Sequence, residues 1–61
     1  MLIETEDSFI HPEDIVELYK PDSDVVFMNT KYTQKRTVCD SHELALLKFE
    51  EINEIWQQYR P

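Results

Sequence analysis

From Cys39 to Arg60 the chain reads as one helix with its start signal written ahead of it, and that element dictates that the remaining residues supply an apolar surface for it to lie on. Asp40-Ser41-His42-Glu43 matches a capping box, in which the Asp40 carboxylate accepts from the Glu43 amide and the Glu43 side chain reaches back to the Asp40 amide. Cys39 and Leu44 then fall at the two positions of a hydrophobic staple. Neither Gly nor an internal Pro follows before Arg60, so the pattern predicts a helix from Ser41 to Tyr59. Placed at about 100° per residue, Leu44, Ile55, Tyr59, Ile52, Ala45, Trp56 and Phe49 share one arc of about 140° with only Lys48 inside it. Glu50, Glu51, Asn53, Glu54, Gln57 and Gln58 occupy the other side. Leu46 and Leu47 lie outside the stripe, which makes the first two turns apolar nearly all round and predicts that they are the more deeply buried end.

Upstream the apolar residues come in strand-length clusters: Ile15 to Tyr19, Val25 to Met28, and Arg36 to Cys39. Lys20-Pro21-Asp22-Ser23-Asp24 suits a tight turn with Pro at its second position, and Asn29-Thr30-Lys31 suits another in which Asn29 takes positive φ. Leu2 to Thr5 with Phe9-Ile10 reads as a fourth, edge strand broken at Glu6-Asp7-Ser8. Residues 12–20 admit two readings, a short helix opened by Pro12 or one helical turn at Pro12 to Asp14 running into a strand. The second is preferred, because Ile15, Val16, Leu18 and Tyr19 make no clean helical stripe but alternate well between a core and a second face. The expected fold is α+β: one domain over residues 1–61, a small antiparallel sheet of three to four strands, and one long C-terminal helix packed on one face.

A chain of 61 residues buries only about 60% of the surface that it exposes when unfolded, so its core is small. One Cys and two His offer neither an intramolecular disulfide nor much material for a structural zinc site. A helix of about 19 residues is ~28 Å long and a five-residue strand ~17 Å, so the last two helical turns, with Trp56 and Tyr59, are expected to overhang the sheet. Either Leu2, Ile3 and Phe9 cover them within the monomer, or a homodimer or partner contact does. The single thiol fits a cytoplasmic setting, the acidic start Met-Leu-Ile-Glu-Thr-Glu-Asp is unlike a signal peptide, and no apolar run is long enough for a membrane span.

The formal charge is −7, and all of it lies in the first half. Residues 1–28 carry eight acids (Glu4, Glu6, Asp7, Glu13, Asp14, Glu17, Asp22 and Asp24) against the single base Lys20, whereas residues 29–61 balance five acids with five bases. Such a charge repels phosphate, and direct nucleic-acid binding is not expected unless Lys31, Lys35 and Arg36 form an isolated basic patch. The same three bases are candidates to pair with acids of this molecule or of a second copy. With no Gly anywhere, P-loop and dinucleotide-binding motifs are excluded.

Cys39-Asp40-Ser41-His42 is the one local cluster of reactive side chains. A Cys–His pair beside a helix N-terminus is the minimum for a thiol nucleophile, and C-x-x-H with His11 as a third ligand is half of a zinc site. The simpler reading makes Cys39 a staple, Asp40 a cap, His11 a turn residue and His42 an exposed residue of the first turn. The adjacent acids Glu13-Asp14 and Glu50-Glu51 would need a cleft to act in acid–base chemistry, which a domain of this size seldom encloses. No enzyme activity and no cofactor are expected.

Phe9-Ile10-His11-Pro12-Glu13-Asp14-Ile15, then Val25-Val26-Phe27-Met28-Asn29, then Val38-Cys39-Asp40-Ser41-His42-Glu43-Leu44 resembles the pattern of the small FlbD-like flagellar proteins over residues 9–47. The resemblance implies three strands followed by a helix. His11 stands where that pattern has Asn, Thr30 where it has Gly, and the helix runs on further; the motif is structural and carries over no functional residue.

The expected function is that of a non-enzymatic, acidic protein-binding module, regulator or inhibitor, of the sort a phage or bacterial accessory protein provides, meeting a basic surface. The residues assigned to the contact are Glu4, Glu6, Asp7, Glu13, Asp14, Asp22 and Asp24, with Trp56 and Tyr59 as aromatic anchors. The alternative is an obligate homodimer of structural or motility-related role, and a Cys–His thiol enzyme or zinc site is a third reading.

Overall fold

The computed structural model describes residues 2–59 and has the expected α+β architecture. In chain order it comprises β1 (Ile3–Glu4), β2 (Phe9–Ile10), one 3-10 turn (Pro12–Asp14), β3 (Ile15–Leu18), β4 (Val25–Thr30), β5 (Gln34–Val38) and α1 (His42–Gln57). Strands β3, β4 and β5 form an antiparallel meander in that order, and α1 lies across one of its faces.

Residues 12–20 take the second of their two readings. Pro12 opens a single 3-10 turn, and the Ile15 amide closes it on the Pro12 carbonyl before the backbone extends into β3. A bulge between Ile15 and Glu17 shifts the register against β4, so that Ile15 opposes Thr30, Glu17 opposes Asn29 and Leu18 opposes Met28. Strand β4 alternates strictly: Val26 and Met28 are 0% exposed against α1, and Val25, Phe27 and Asn29 between them turn to the opposite face.

The N-terminal residues correct the expectation of a fourth edge strand. Their two halves pair with each other instead, Ile3 opposite Ile10 and Glu4 opposite Phe9, as a separate two-stranded sheet. Thr5 causes the reversal: its amide and its hydroxyl both donate to the Ser8 carbonyl at 2.7 Å, which folds Glu6 and Asp7 outward. The hairpin leans on the outer edge of β5 through Glu6 N–H to Arg36 O (2.8 Å) and Thr37 Oγ1 to Glu4 O (2.8 Å), which covers part of that edge.

The turn after β4 also differs. Asn29 and Thr30 stay in the strand, the reversal falls at Lys31 to Thr33, and no residue among those described has positive φ. Thr30 supplies what a left-handed Asn was expected to: its hydroxyl donates to Thr33 O (2.7 Å) and accepts from the Thr33 amide (3.1 Å) and the Tyr32 amide (3.3 Å).

Helix α1 begins one residue later than expected. Ser41, not Asp40, is the N-cap, with φ −155° and ψ 165°, and its Oγ accepts from the Leu44 amide at 3.2 Å. That places Asp40 outside the helix, removes the capping box, and moves Cys39 and Leu44 off the staple positions. The last turn tightens to end the helix, Gln58 N–H reaching Ile55 O and Tyr59 N–H reaching Trp56 O.

Ile3, Ile10, Ile15, Val26, Met28, Ala45 and Ile52 form the core, with Leu18, Cys39, Phe49, Ile55 and Trp56 packed around it. The first two turns of α1 are not the deeply buried end: Leu44 is 47% and Leu47 58% exposed. One helix on one sheet buries a single stripe, and here Ala45, Phe49, Ile52 and Trp56 occupy it. Leu47, on another side of the helix, stays exposed.

Candidate functional site

The assigned acids fall in three places: the N-terminal hairpin (Glu4, Glu6, Asp7), the 3-10 turn (Glu13, Asp14) and the β3–β4 connection (Asp22, Asp24). In the first two they meet the bases of the β4–β5 hairpin. Asp7 lies 3.4 Å from Lys35 Nζ, Glu6 accepts from Arg36 Nε, and Asp14 lies 3.9 Å from Lys31 Nζ. Lys35 holds the Asp7 carboxyl below its usual range, and Glu6 favours the charged form of Arg36 still further. All three hairpin bases are thus paired within the molecule.

Glu4, Asp22 and Asp24 are exposed, with no base within ion-pair distance among the described residues, and Glu13 reaches only the His11 ring at 4.0 Å. Asp22 and Asp24 sit at the end of the sheet where α1 starts, because Cys39 N–H donates to Asp24 O (2.8 Å) and His42 Nε2–H to Pro21 O (3.1 Å).

Trp56 and Tyr59 part company. Trp56 is half-buried and donates its indole N–H to Ile15 O at 3.1 Å, so the start of β3 covers the aromatic expected to overhang. The reason is length: β4 runs to Thr30 and the 3-10 turn extends the layer beneath the helix end. Of the three N-terminal candidates to cover it, Ile3 is buried in the core cluster against which Trp56 packs, whereas Leu2 and Phe9 are 50% and 63% exposed. Tyr59 is exposed.

Cys39 is a half-buried free thiol packed against the core, and His42 uses one ring nitrogen on the Pro21 carbonyl. Among the described residues no three His, Cys, Asp or Glu side chains are grouped so that they could hold a metal ion, and no helix is long and apolar enough to cross a membrane.

Site assignment from sequence passed over the outer face of the meander. Phe27 stands at its centre, opposite Arg36 on β5 and beside Tyr19, whose amide donates to Phe27 O at 3.1 Å. A groove of about 440 Å³ runs along Tyr19, Lys20, Pro21, Asp22, Phe27 and Gln34, and a second of about 280 Å³ continues from Phe27 and Gln34 to Glu6 and Arg36. Next to them the Tyr19 hydroxyl donates to Glu17 Oε1 (2.8 Å) and accepts from Asn29 Nδ2 (2.8 Å), with Asn29 Nδ2 also 3.4 Å from Glu17 Oε1. The bond to Glu17 pushes the Tyr19 phenol above its ordinary pKa. The signal in the sequence was that a strand puts Phe27 on the face opposite Val26 and Met28; which of the two faces the helix covers is fixed by the burial of Val26 and Met28.

Comparison with known protein families, curated proteins and solved structures finds no match for this chain.

Proposed function

We propose that this chain is a non-enzymatic protein-binding module, a regulator or an inhibitor, whose acidic N-terminal half meets a basic surface on another protein. The observation that carries the reading is the internal pairing of Lys31, Lys35 and Arg36. Those pairs engage Glu6, Asp7 and Asp14 and leave Glu4, Glu13, Glu17, Asp22 and Asp24 exposed, with Lys20 the one base in that half of the sequence. Exposed charge of one sign steers a partner of the other sign and makes the complex sensitive to salt.

The test is capture of a partner by the intact chain and by a variant reversed at Glu13, Asp22 and Asp24, each eluted on a salt gradient. The reading expects release from the intact chain between about 50 and 200 mM salt and no capture by the reversed variant. Capture that is indifferent to salt and to reversal rejects it.

A second reading, a homodimer, draws on one observation: Val38, Leu44 and Leu47 are exposed along a groove of about 360 Å³ whose rim carries Lys48 and Glu51. Lys48 and Glu51 on that rim already pair with each other at 3.8 Å, so the three apolar side chains carry this reading. Sedimentation of wild type and Leu47→Glu at micromolar concentration decides, a monomer in both removing the reading. The strand and cap residues that carry the FlbD-like resemblance suggest no motility role of their own.

A further inference from the structure

The N-terminal hairpin is held differently from the rest of the fold. Its strands pair with each other and with no strand of the meander, and each is two residues long, too short to persist unsupported. Two aliphatic side chains, Ile3 and Ile10, anchor it in the core, while Leu2 and Phe9 stay exposed. Strand β4, by contrast, is bonded along both edges and lies under α1.

The hold of the hairpin on β5 is narrow. Cys39 N–H donates to Asp24 O and Thr30 N–H to Thr33 O, so the odd-numbered residues from Thr33 to Cys39 turn their backbone groups to β4, and Gln34, Arg36 and Val38 turn theirs to the outer edge. Of these outward groups the hairpin engages the Arg36 carbonyl, through the Glu6 amide at 2.8 Å, and Thr37 Oγ1 donates to Glu4 O at 2.8 Å. Two ion pairs join the elements at the hairpin tip, Glu6 with Arg36 and Asp7 with Lys35 at 3.4 Å.

We propose that the hairpin is a cover over the outer edge of β5 that opens as a unit while the meander and α1 stay folded, and that the Glu6–Arg36 and Asp7–Lys35 pairs are its latch. An uncovered edge presents free N–H and C=O groups to any other strand. The opposite edge of the sheet is blunted in another way: a bulge between Ile15 and Glu17 interrupts the β3 ladder, and the Trp56 indole occupies Ile15 O. At β5 the hairpin serves instead, and its tip charges set how often it lifts. Three of the four latch side chains are about half or more exposed, so dissolved salt screens them. Screening leaves the burial of Ile3 and Ile10 as it is.

The test is native-state hydrogen exchange on the full chain, read as protection factors. At low salt the Thr5, Glu6 and Ile10 amides are expected to agree within about twofold and to be at least about tenfold less protected than those of Val26, Phe27 and Met28. Raising sodium chloride from about 20 to about 500 mM lowers protection in the hairpin about three- to fivefold and leaves β4 within about twofold. Arg36→Gln, which leaves the hairpin sequence untouched, lowers hairpin protection about two- to threefold at low salt and shrinks the salt effect. Retained protection in β4 shows that this variant is folded; should it not fold, the salt series on the wild-type chain decides.

Equal protection in the hairpin and β4, or parallel losses in both as salt rises, means that they unfold together and overturns the cover. Three unlike values at Thr5, Glu6 and Ile10 mean fraying in place of one opening and overturn it too. A hairpin that opens alone but is indifferent to salt and to Arg36→Gln has no ionic latch, and the proposal falls.

Discussion

The two faces of the β3–β4–β5 meander are made from alternate residues of the same strands, and they have opposite characters. Toward α1, Val26 and Met28 are sealed in a core of aliphatic side chains. Away from it, Phe27 lies half-exposed among Tyr19, Glu17, Asn29 and Gln34, which bond to one another or face water. The described residues hold one helix, and once it covers one face of the sheet the other is left to polar contacts and water. The buried contacts of the sheet are thereby concentrated on one face, and the other carries aromatic and polar side chains part-exposed to water.

Met28→Ala tests that contrast hardest. It empties a site that is fully buried, and a loss of about 2–5 kcal/mol is expected in chemical denaturation. Phe27→Ala, one residue away, is expected to cost less than half as much despite removing a larger side chain. Equal losses break the comparison.

Trp56→Phe probes how firmly the helix end is fastened to the covered face. Ile15 O loses its indole donor, and a destabilisation of about 1–3 kcal/mol is expected. Ser41→Ala removes the cap at the other end of α1 and is expected to cost about 1 kcal/mol, with Asp40→Ala within about 0.5 kcal/mol of wild type. A reversal of that order would return the cap to Asp40.

The smallest effect concerns the border where the N-terminal hairpin meets β5. Lys35 holds the Asp7 carboxyl below its ordinary value, so the folded state binds that proton less readily than the unfolded state. The contribution is present above the ordinary carboxylate range and is lost as pH falls through the depressed value. Asp7→Asn is expected to make the fall in denaturation midpoint between about pH 5 and pH 2 shallower and to leave it elsewhere unchanged. An identical acid slope in wild type and variant rejects the pairing.

Much of the architecture was legible because it depends on near neighbours in sequence. Ser41 within a polar step before Leu44 announces a helix start, and Pro12-Glu13-Asp14 ahead of Ile15 announces one turn followed by a strand. The errors fall where a local signal had two nearly equal takers. Asp40 and Ser41 both make good caps, and the side chain whose oxygen meets the Leu44 amide prevails. Asn29 and Thr30 both suit a turn, but β4 extends to Thr30 because its ladder with β5 reaches Asn29 opposite Gln34.

Sequence alone determined the helical period from Ala45 to Trp56, the strand-length apolar cluster from Val25 to Met28, and a charge imbalance confined to the first half. Only the tertiary structure decided that Ile3 pairs with Ile10, that Asp7 meets Lys35 across the hairpin, that Ile15 O receives the Trp56 indole, and that Tyr19 and Phe27 share an open groove. Periodicity is set by backbone geometry that each residue carries with it. Pairing across the chain is set by which surfaces remain uncovered after the helix has taken the face that buries the most apolar area.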